Sequence, residues 1–231
     1  ATATYGHIRD WNVFAVTDTS EAFKDNTTFD DNISAWDVSN VTDMNHMFAG
    51  APAFNQPIGN WDVSLVTNMR SMFRNATAFN QPIGSWNISS VTNLQDVFKH
   101  ATSFNQDIGD WNTSFVNNIR SAFHNASSFD QDLSSWNVSS VTSMHSMFKE
   151  ATAFNQKISD WNISSVTNFE ASFSGASALS SANKGLIHSS FSSNPNWPYD
   201  WSAFAPAPPS PDGNYTTPDD GHHSPDDSYH T

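Results

Sequence analysis

Residues 54–76 read FNQPIGNWDVSLVTNMRSMFRNA, and residues 79–101 repeat the pattern as FNQPIGSWNISSVTNLQDVFKHA. The offset of 25 residues holds along the chain, and it places seven of the nine tryptophans in one column: Trp11, Trp36, Trp61, Trp86, Trp111, Trp136 and Trp161. A fixed period of this length is typical of repeat proteins whose units stack on one another. The sequence therefore predicts a stack of about seven 25-residue coils.

Other large apolar residues follow the same period and predict the core. Two columns are almost entirely phenylalanine: Phe23, Phe48, Phe73, Phe98, Phe123, Phe148 and Phe173, and then Phe29, Phe54, Phe79, Phe104, Phe129 and Phe154, with Leu179 closing the second. A column of Ile or Leu precedes the tryptophans at Ile33, Ile58, Ile83, Ile108, Leu133 and Ile158. Two further apolar columns begin at Val41 and Met44, so each coil can bury six or seven large side chains, which favours one continuous core.

Within one coil, two patterns indicate regular secondary structure. Val66, Met69, Phe73 and Ala76 have the spacing of one helical face, and Thr67 stands where an N-cap belongs. The segment 58–64 alternates around Trp61, with Asp62 pointing the other way, as in a short strand.

The motif F-N-Q-x-I-x-x-W-x-V-S-x-V-T-x-M-x-x-M-F-x-x-A, over about residues 8 to 179, resembles the BspA-type leucine-rich repeats of microbial and protist surface proteins. The resemblance implies that W-x-V is the strand, that the setting is the cell surface or extracellular matrix, and that the role is adhesive or structural, with no catalytic residue. We therefore predict an α/β repeat solenoid: a right-handed, leucine-rich-repeat-like stack in which each coil is a short strand plus a short helix, with a C-terminal capping helix.

The period also predicts the domain organisation. Residues 1–179 form the solenoid, and coil one departs from the pattern at Phe14 and Thr19, as terminal repeats commonly do. Residues 180–204 form a cap, in which Ala182, Leu186 and Phe191 make a helical stripe. Residues 205–231 are a proline-rich acidic tail without periodicity, which cannot bury a core of its own.

Charge and composition exclude several classes of function. The formal net charge is −14 with only nine Lys and Arg, which disfavours nucleic acid and anionic membrane surfaces. The absence of cysteine excludes disulfides and thiolate sites, and no apolar run is long enough for a membrane span. We expect a secreted protein whose signal peptide, if it had one, has been removed. Divalent cations and surface carbohydrate stay open as partners.

N-glycosylation is the first candidate modification, and covalent glycans are the only non-protein groups that we expect. The N-x-S/T pattern occurs ten times, at Asn26, Asn32, Asn40, Asn75, Asn87, Asn112, Asn125, Asn137, Asn162 and Asn214. Four of these, Asn87, Asn112, Asn137 and Asn162, share one repeat column, so the repeat itself also explains them. Because adjacent coils are close together, we expect partial occupancy there and favour Asn26, Asn75, Asn125 and Asn214.

Three further patterns have competing interpretations. The F-N-Q column is either a polar binding strip or, as we prefer, an internal ladder in which each amide bonds the backbone of the next coil. The threonine column, which includes Thr42 and Thr67, resembles ice-binding ladders, but we prefer helix N-caps. His222, His223 and His230 lie among aspartates in the tail, yet their spacing matches no metal motif. We therefore expect no metal site, no cofactor, no catalytic residues and no enzyme.

These observations favour an extracellular structural glycoprotein, a subunit that joins copies of itself head to tail through the C-terminal tail into a fibre or surface layer. The alternative is a monomeric cell-surface adhesin or ligand-binding repeat module. An exposed aromatic patch outside the repeat columns favours the alternative.

Overall fold

A computed structural model describes residues 6–207 and shows 25-residue coils stacked along one axis. We number the coils by their tryptophans, so that coil one contains Trp11 and coil seven contains Trp161. Regular elements are few: 3-10 turns at Ile8–Asp10 and Ser202–Phe204, and one helix, α1, at Ser181–Phe191. Within residues 6–207 the parallel pairing between coils is limited to isolated bridges, such as Asp43 with Asn68 and Asn68 with Asn93.

The backbone at residues 68–75 and its equivalents is held by hydrogen bonds that run along the stack. In coil three, the amides of Met69, Ser71, Phe73 and Asn75 donate to carbonyl oxygens of coil four, at N···O distances of 2.8–3.1 Å. The carbonyls of residues 68, 70, 72 and 74 accept from coil two in the same way. We call these eight-residue stretches the axial segments. Every second peptide plane in them therefore lies along the stack axis, with its N–H directed toward the next coil.

Left-handed residues make this orientation possible. Each axial segment has positive φ at two positions four residues apart, for example Ser71 (56°) and Asn75 (59°). The intervening amides close tight turns inside the coil, as Met72 does with the carbonyl of Met69. An Asx turn begins the segment, because Asn68 Oδ1 accepts from the amide of Arg70 at 3.1 Å.

The predicted fold class is therefore wrong in its secondary structure. The axial segment is not a helix, since its amides alternate between the next coil and the turn three residues back. The segment around Trp61 is not a strand, although Trp61 and Val63 are buried and Asp62 is exposed as predicted. The chain is not an α/β solenoid of strand-plus-helix coils, and the leucine-rich-repeat description of its geometry does not hold.

The core consists of the apolar columns that the period identified. Phe48 and Phe54 stack at 3.8 Å between ring centroids within coil two, and Phe48 lies 5.7 Å from Phe73 of coil three. The same contacts repeat to Phe154, so the phenyl rings form one uninterrupted double row. Such aromatic pairs add roughly 0.5–1.5 kcal/mol each beyond the burial of their surface.

Each buried tryptophan also links two coils. Trp86 Nε1 donates to the carbonyl of Ile58 in the preceding coil at 3.2 Å, and Trp36, Trp61, Trp111, Trp136 and Trp161 make the equivalent bond. The indole N–H is thus satisfied without contact with water, which a buried donor requires.

Coil seven is covered by α1 and by an aromatic cluster that follows it. Tyr199 Oη accepts from the amide of Phe173 at 3.0 Å, in place of the carbonyl that a further coil would supply. The predicted stripe on α1 is partly wrong: Phe191 is buried, but Ala182 and Leu186 are exposed, and Gly185 and Ile187 face the core instead. Gly185 has a packing reason, since a Cβ there would lie 1.8 Å from the carbonyl oxygen of Phe204.

We predict that Trp86→Ala lowers the free energy of unfolding by about 3–5 kcal/mol, because it leaves a cavity in a central coil. Trp86→Phe is the matched control: it keeps an aromatic ring but removes the Nε1 donor, and it should cost about 1–2 kcal/mol. Chemical denaturation measures both. A loss below about 1 kcal/mol for Trp86→Ala contradicts a buried tryptophan column.

Candidate functional site

The F-N-Q column is an internal ladder, as predicted. Asn80 Oδ1 accepts from the backbone amide of Asn105 and from Gln106 Nε2, both at 2.9 Å. Asn80 in turn donates its own amide to Asn55 Oδ1 at 3.0 Å. The ladder runs from Asp30 in coil one to Asn155 in coil six. Its polar groups are engaged within the stack and do not form a binding strip.

The ladder ends on the cap. Asn155 Oδ1 accepts from the amide of Ser180, which is also the N-cap of α1, and from Asn183 Nδ2 in its first turn. Asn183 therefore takes the place of the repeat glutamine. This explains how α1 joins the stack without a break in the hydrogen-bond pattern.

The threonine column also forms a ladder, and the predicted N-cap role is wrong because no helix follows. Thr67 donates to the carbonyl of Thr42 through both its amide (2.9 Å) and Oγ1 (3.2 Å). Thr92 does the same with Thr67. The ladder is interrupted after coil five, where Asn117 replaces threonine and the bridge between Asn118 and Ser143 is missing.

Most of the predicted glycosylation sites are exposed. Asn87, Asn112, Asn137 and Asn162 each begin an Asx turn in which Oδ1 accepts from the serine two residues on, so the repeat gives this column a structural reason. Asn32 makes the same turn with Ser34. Asn26 and Asn75 are exposed as well.

Two candidates have an engaged amide nitrogen, and one lies outside the described residues. Asn40 Nδ2 donates to the carbonyl of Phe14 at 2.8 Å, and Asn125 Nδ2 is 2.9 Å from His100 Nδ1. Because a glycan is attached through this nitrogen, the geometry favours Asn26 and Asn75 over Asn125. Asn214 lies outside the described residues, beyond residue 207.

Coil one presents an open edge. In the described chain no hydrogen bond reaches the carbonyl oxygens of residues 18, 20, 22 and 24, which begin the axial pattern. Beside them is a hollow lined by Ile8, Trp11, Phe23 and Phe29. Coil one therefore offers a row of backbone acceptors next to an apolar surface.

The axial peptides give the two ends of the stack opposite character. Their carbonyls point toward coil one and their amides toward coil seven, so the peptide dipoles add along the stack, as they do in a helix. Coil one is the acceptor end and coil seven is the donor end, where Tyr199 and the aromatic cluster cover Phe173.

Sequence reasoning missed two exposed apolar side chains in the inner coils, Phe115 and Leu65. Phe115 is 66% exposed and Leu65 is 50% exposed, and the two occupy one repeat column two coils apart. Phe14, 53% exposed, lies in the adjacent column of coil one. The period could have revealed Phe115 and Leu65, because the other members of their column are small or polar: Ala15, Asn40, Ser90, Ser140 and Ser165.

A basic surface was also missed. Arg70, Arg74, Lys99, Arg120 and Lys149 project from the axial segments of coils three to six. Burial, followed by the charges of Lys99, His100 and Lys149, lowers the pKa of His124 to about 4. Burial, followed by the charges of Lys99 and Arg74, also lowers the pKa of His100. Burial, followed by the charges of Arg70 and Lys24, lowers the pKa of His46. Cations on this surface thus act on the neighbouring histidines, and Asp96 and Glu150 oppose their effect on the pKa of His100.

Neither a metal site nor catalytic residues were predicted from the sequence. Over residues 6–207, His, Asp and Glu do not form a group of three suited to a metal ion. The histidines at 222, 223 and 230 lie outside that range. The helices in the described part of the chain are too short or too polar to cross a bilayer.

Comparison with protein families identifies one match. The family model described as "Mycoplasma protein of unknown function, DUF285" matches residues 1–102 and again residues 80–186. Together these two matches span most of the chain and all seven tryptophan repeats. A comparison with curated proteins returned no match.

We predict that Asn80→Ala lowers the free energy of unfolding by about 1–3 kcal/mol, because two partly buried donors lose their acceptor. The matched control is Asn80→Asp, which keeps the acceptor and copies Asp30 and Asp130 at the same ladder position. It should change stability by less than about 0.5 kcal/mol. Equal losses for the two variants, in chemical denaturation, would refute the ladder.

Proposed function

We propose that this chain, which belongs to the DUF285 family, is an extracellular glycoprotein subunit with a structural role. Copies of the chain join head to tail into a fibre or surface layer. The observation that carries the proposal is the open acceptor edge of coil one, at the carbonyls of residues 18, 20, 22 and 24.

The polarity of the stack supports a head-to-tail arrangement. Two coil-one edges facing each other would bring carbonyl oxygens against carbonyl oxygens, which repel. An edge of acceptors is satisfied by N–H donors from another segment, in the manner of strand addition. Contacts between unlike surfaces produce open filaments when their rotation does not close a ring, and the proposed connection is of this open kind.

The C-terminal tail is the segment that we propose as the connection. Coil seven is covered by α1, Tyr199 and Trp197, so coils of two subunits do not stack directly. Residues 208–231 reach up to about 75 Å when extended, whereas seven coils rise only about 30 Å at strand spacing. The tail is thus long enough to leave the cap of one subunit and reach coil one of the next.

Glycans and a surface location complete the proposal. Exposed asparagines in N-x-S/T sequences, Asn26 and Asn75 foremost, support covalent sugar and hence secretion. The repeat motif also supports a relationship to BspA-type surface proteins, in sequence and setting rather than in strand-plus-helix geometry. The low basic content of the chain supports partners other than nucleic acid.

A monomeric adhesin is the second candidate, and Phe115 favours it. This exposed aromatic side chain lies outside the apolar columns, and Leu65 shares its column. Exposed aromatic residues are common anchors in binding surfaces. An adhesin would stay monomeric whether or not the tail is present, so the same experiment separates the two functions.

Truncation after Ala207 tests the structural role. This boundary keeps the bond between Ala205 and Ser202 and the close contact of Gly185 with Phe204, so we expect the shortened chain to unfold at the same temperature as the full chain. The full chain should form filaments in negative-stain images at neutral pH, and the shortened chain should sediment as a monomer. Filaments of undiminished length from the shortened chain would rule out the tail connection.

A further inference from the structure

Within residues 6–207, five of the nine Lys and Arg side chains have no carboxylate partner, and four of these five lie on one face of the stack. Arg70, Arg74, Arg120 and Lys149 have no carboxylate within 4.0 Å among the described residues. Two repeat columns contain them: Arg70 and Arg120 in one, Arg74 and Lys149 in the other, four residues further along the axial segment. We call this surface the basic face.

The remaining five cations are engaged. Lys24, Lys99 and Lys157 pair with carboxylates at 2.9, 3.7 and 2.8 Å, and Arg9 lies 3.9 Å from Asp10. Lys184 lies over the ring of Phe204 at 5.9 Å. Unpaired cations are thus confined to the basic face, in a chain with a net charge of −14.

The basic face continues directly from the open edge of coil one. In coil one, the two repeat columns of the basic face contain Ser20 and Lys24. The carbonyl oxygens of these two residues belong to the open edge. Coils three to six, which contain the four unpaired cations, span about 15 Å at strand spacing. A segment that enters over the edge therefore meets the basic face as its next surface.

We propose that the basic face binds the acidic segment Asp219–Asp227 of a second copy of this chain, a proposal that rests on the proposed function and names the surface that receives the tail. The segment reads DDGHHSPDD and contains four carboxylates and no Lys or Arg. Its two aspartate pairs are seven residues apart, up to about 23 Å in an extended chain, which is enough to span the about 15 Å along which the four cations lie.

The chemistry of the cations suits carboxylates. Guanidinium groups form paired N–H···O bonds with a carboxylate, and three of the four cations are arginines. Because Arg70, Arg74 and Arg120 are exposed and make no side-chain hydrogen bond in the structure, they bind a carboxylate without breaking an internal contact. Screening by salt weakens contacts of this kind strongly.

The test separates the tail from its receptor. The tail donor is the full chain with Arg70→Gln, Arg74→Gln, Arg120→Gln and Lys149→Gln, so that its own basic face is neutral. The receptor is the chain truncated after Ala207, labelled and produced without glycosylation because Asn75 adjoins Arg74. Sedimentation velocity of the mixture should show a complex whose apparent Kd rises at least about tenfold between about 50 and about 500 mM NaCl.

Matched variants identify the surface. Arg74→Gln with Lys149→Gln in the receptor should weaken binding by about tenfold, whereas Arg9→Gln with Lys157→Gln, the same loss of charge elsewhere, should not. In the tail donor, the four substitutions Asp219→Asn, Asp220→Asn, Asp226→Asn and Asp227→Asn together should abolish the complex.

Three outcomes overturn the proposal: no complex, equal weakening by the two receptor doubles, or binding that survives loss of the tail carboxylates. If any of these occurs while the full chain still forms tail-dependent filaments, the basic face is wrong and the structural role stands. If the full chain forms no filaments, the structural role fails, and the pairwise binding result still decides whether the basic face receives the acidic segment.

Discussion

The axial hydrogen bonds are the constraint on which the rest of this structure depends. An α-helix satisfies most of its own amides, but in coils one to six each axial segment has three or four amides that donate to the next coil. A coil is therefore incomplete alone, and the register between coils is fixed by backbone as well as by side chains. The exact period of 25 follows, because an inserted or deleted residue would break the axial bonds, the Asn80 ladder and the Trp86 contact together.

The same constraint gives the stack its direction and its exposed chemistry. The axial carbonyl oxygens face outward at coil one, and the axial amides face outward at coil seven. The cap covers coil seven, where Tyr199 and Asn183 take the places of groups that a further coil would supply. The side chains of the axial segments that are not buried in the core form columns on the surface of the stack. In the proposed assembly, the unpaired cations of one copy bind the acidic tail of another.

The sequence predicted the side-chain core well and the backbone poorly, for one reason. Periodicity reports which side chains are buried, and the columns of Phe48, Phe54 and Trp61 are buried as expected. It does not distinguish a helix from a chain of tight turns when both bury Val66, Met69 and Phe73. The left-handed positions that prevent a helix are mostly His, Ser, Asp, Asn and Glu rather than glycine, so nothing in the composition marks them.

The polar sites show the same division. The Asn80 ladder was predictable because a buried amide must be paired, whereas the basic face was missed because its charges are spread over four coils and become one surface only when the columns are compared.

The most direct test of the account is the scalar coupling across hydrogen bonds in NMR of the isotope-labelled chain. The amide nitrogen of Phe73 should couple to the carbonyl carbon of Val97, in the next coil. A coupling from Phe73 to the carbonyl of Met69 instead, as in an α-helix, would contradict it.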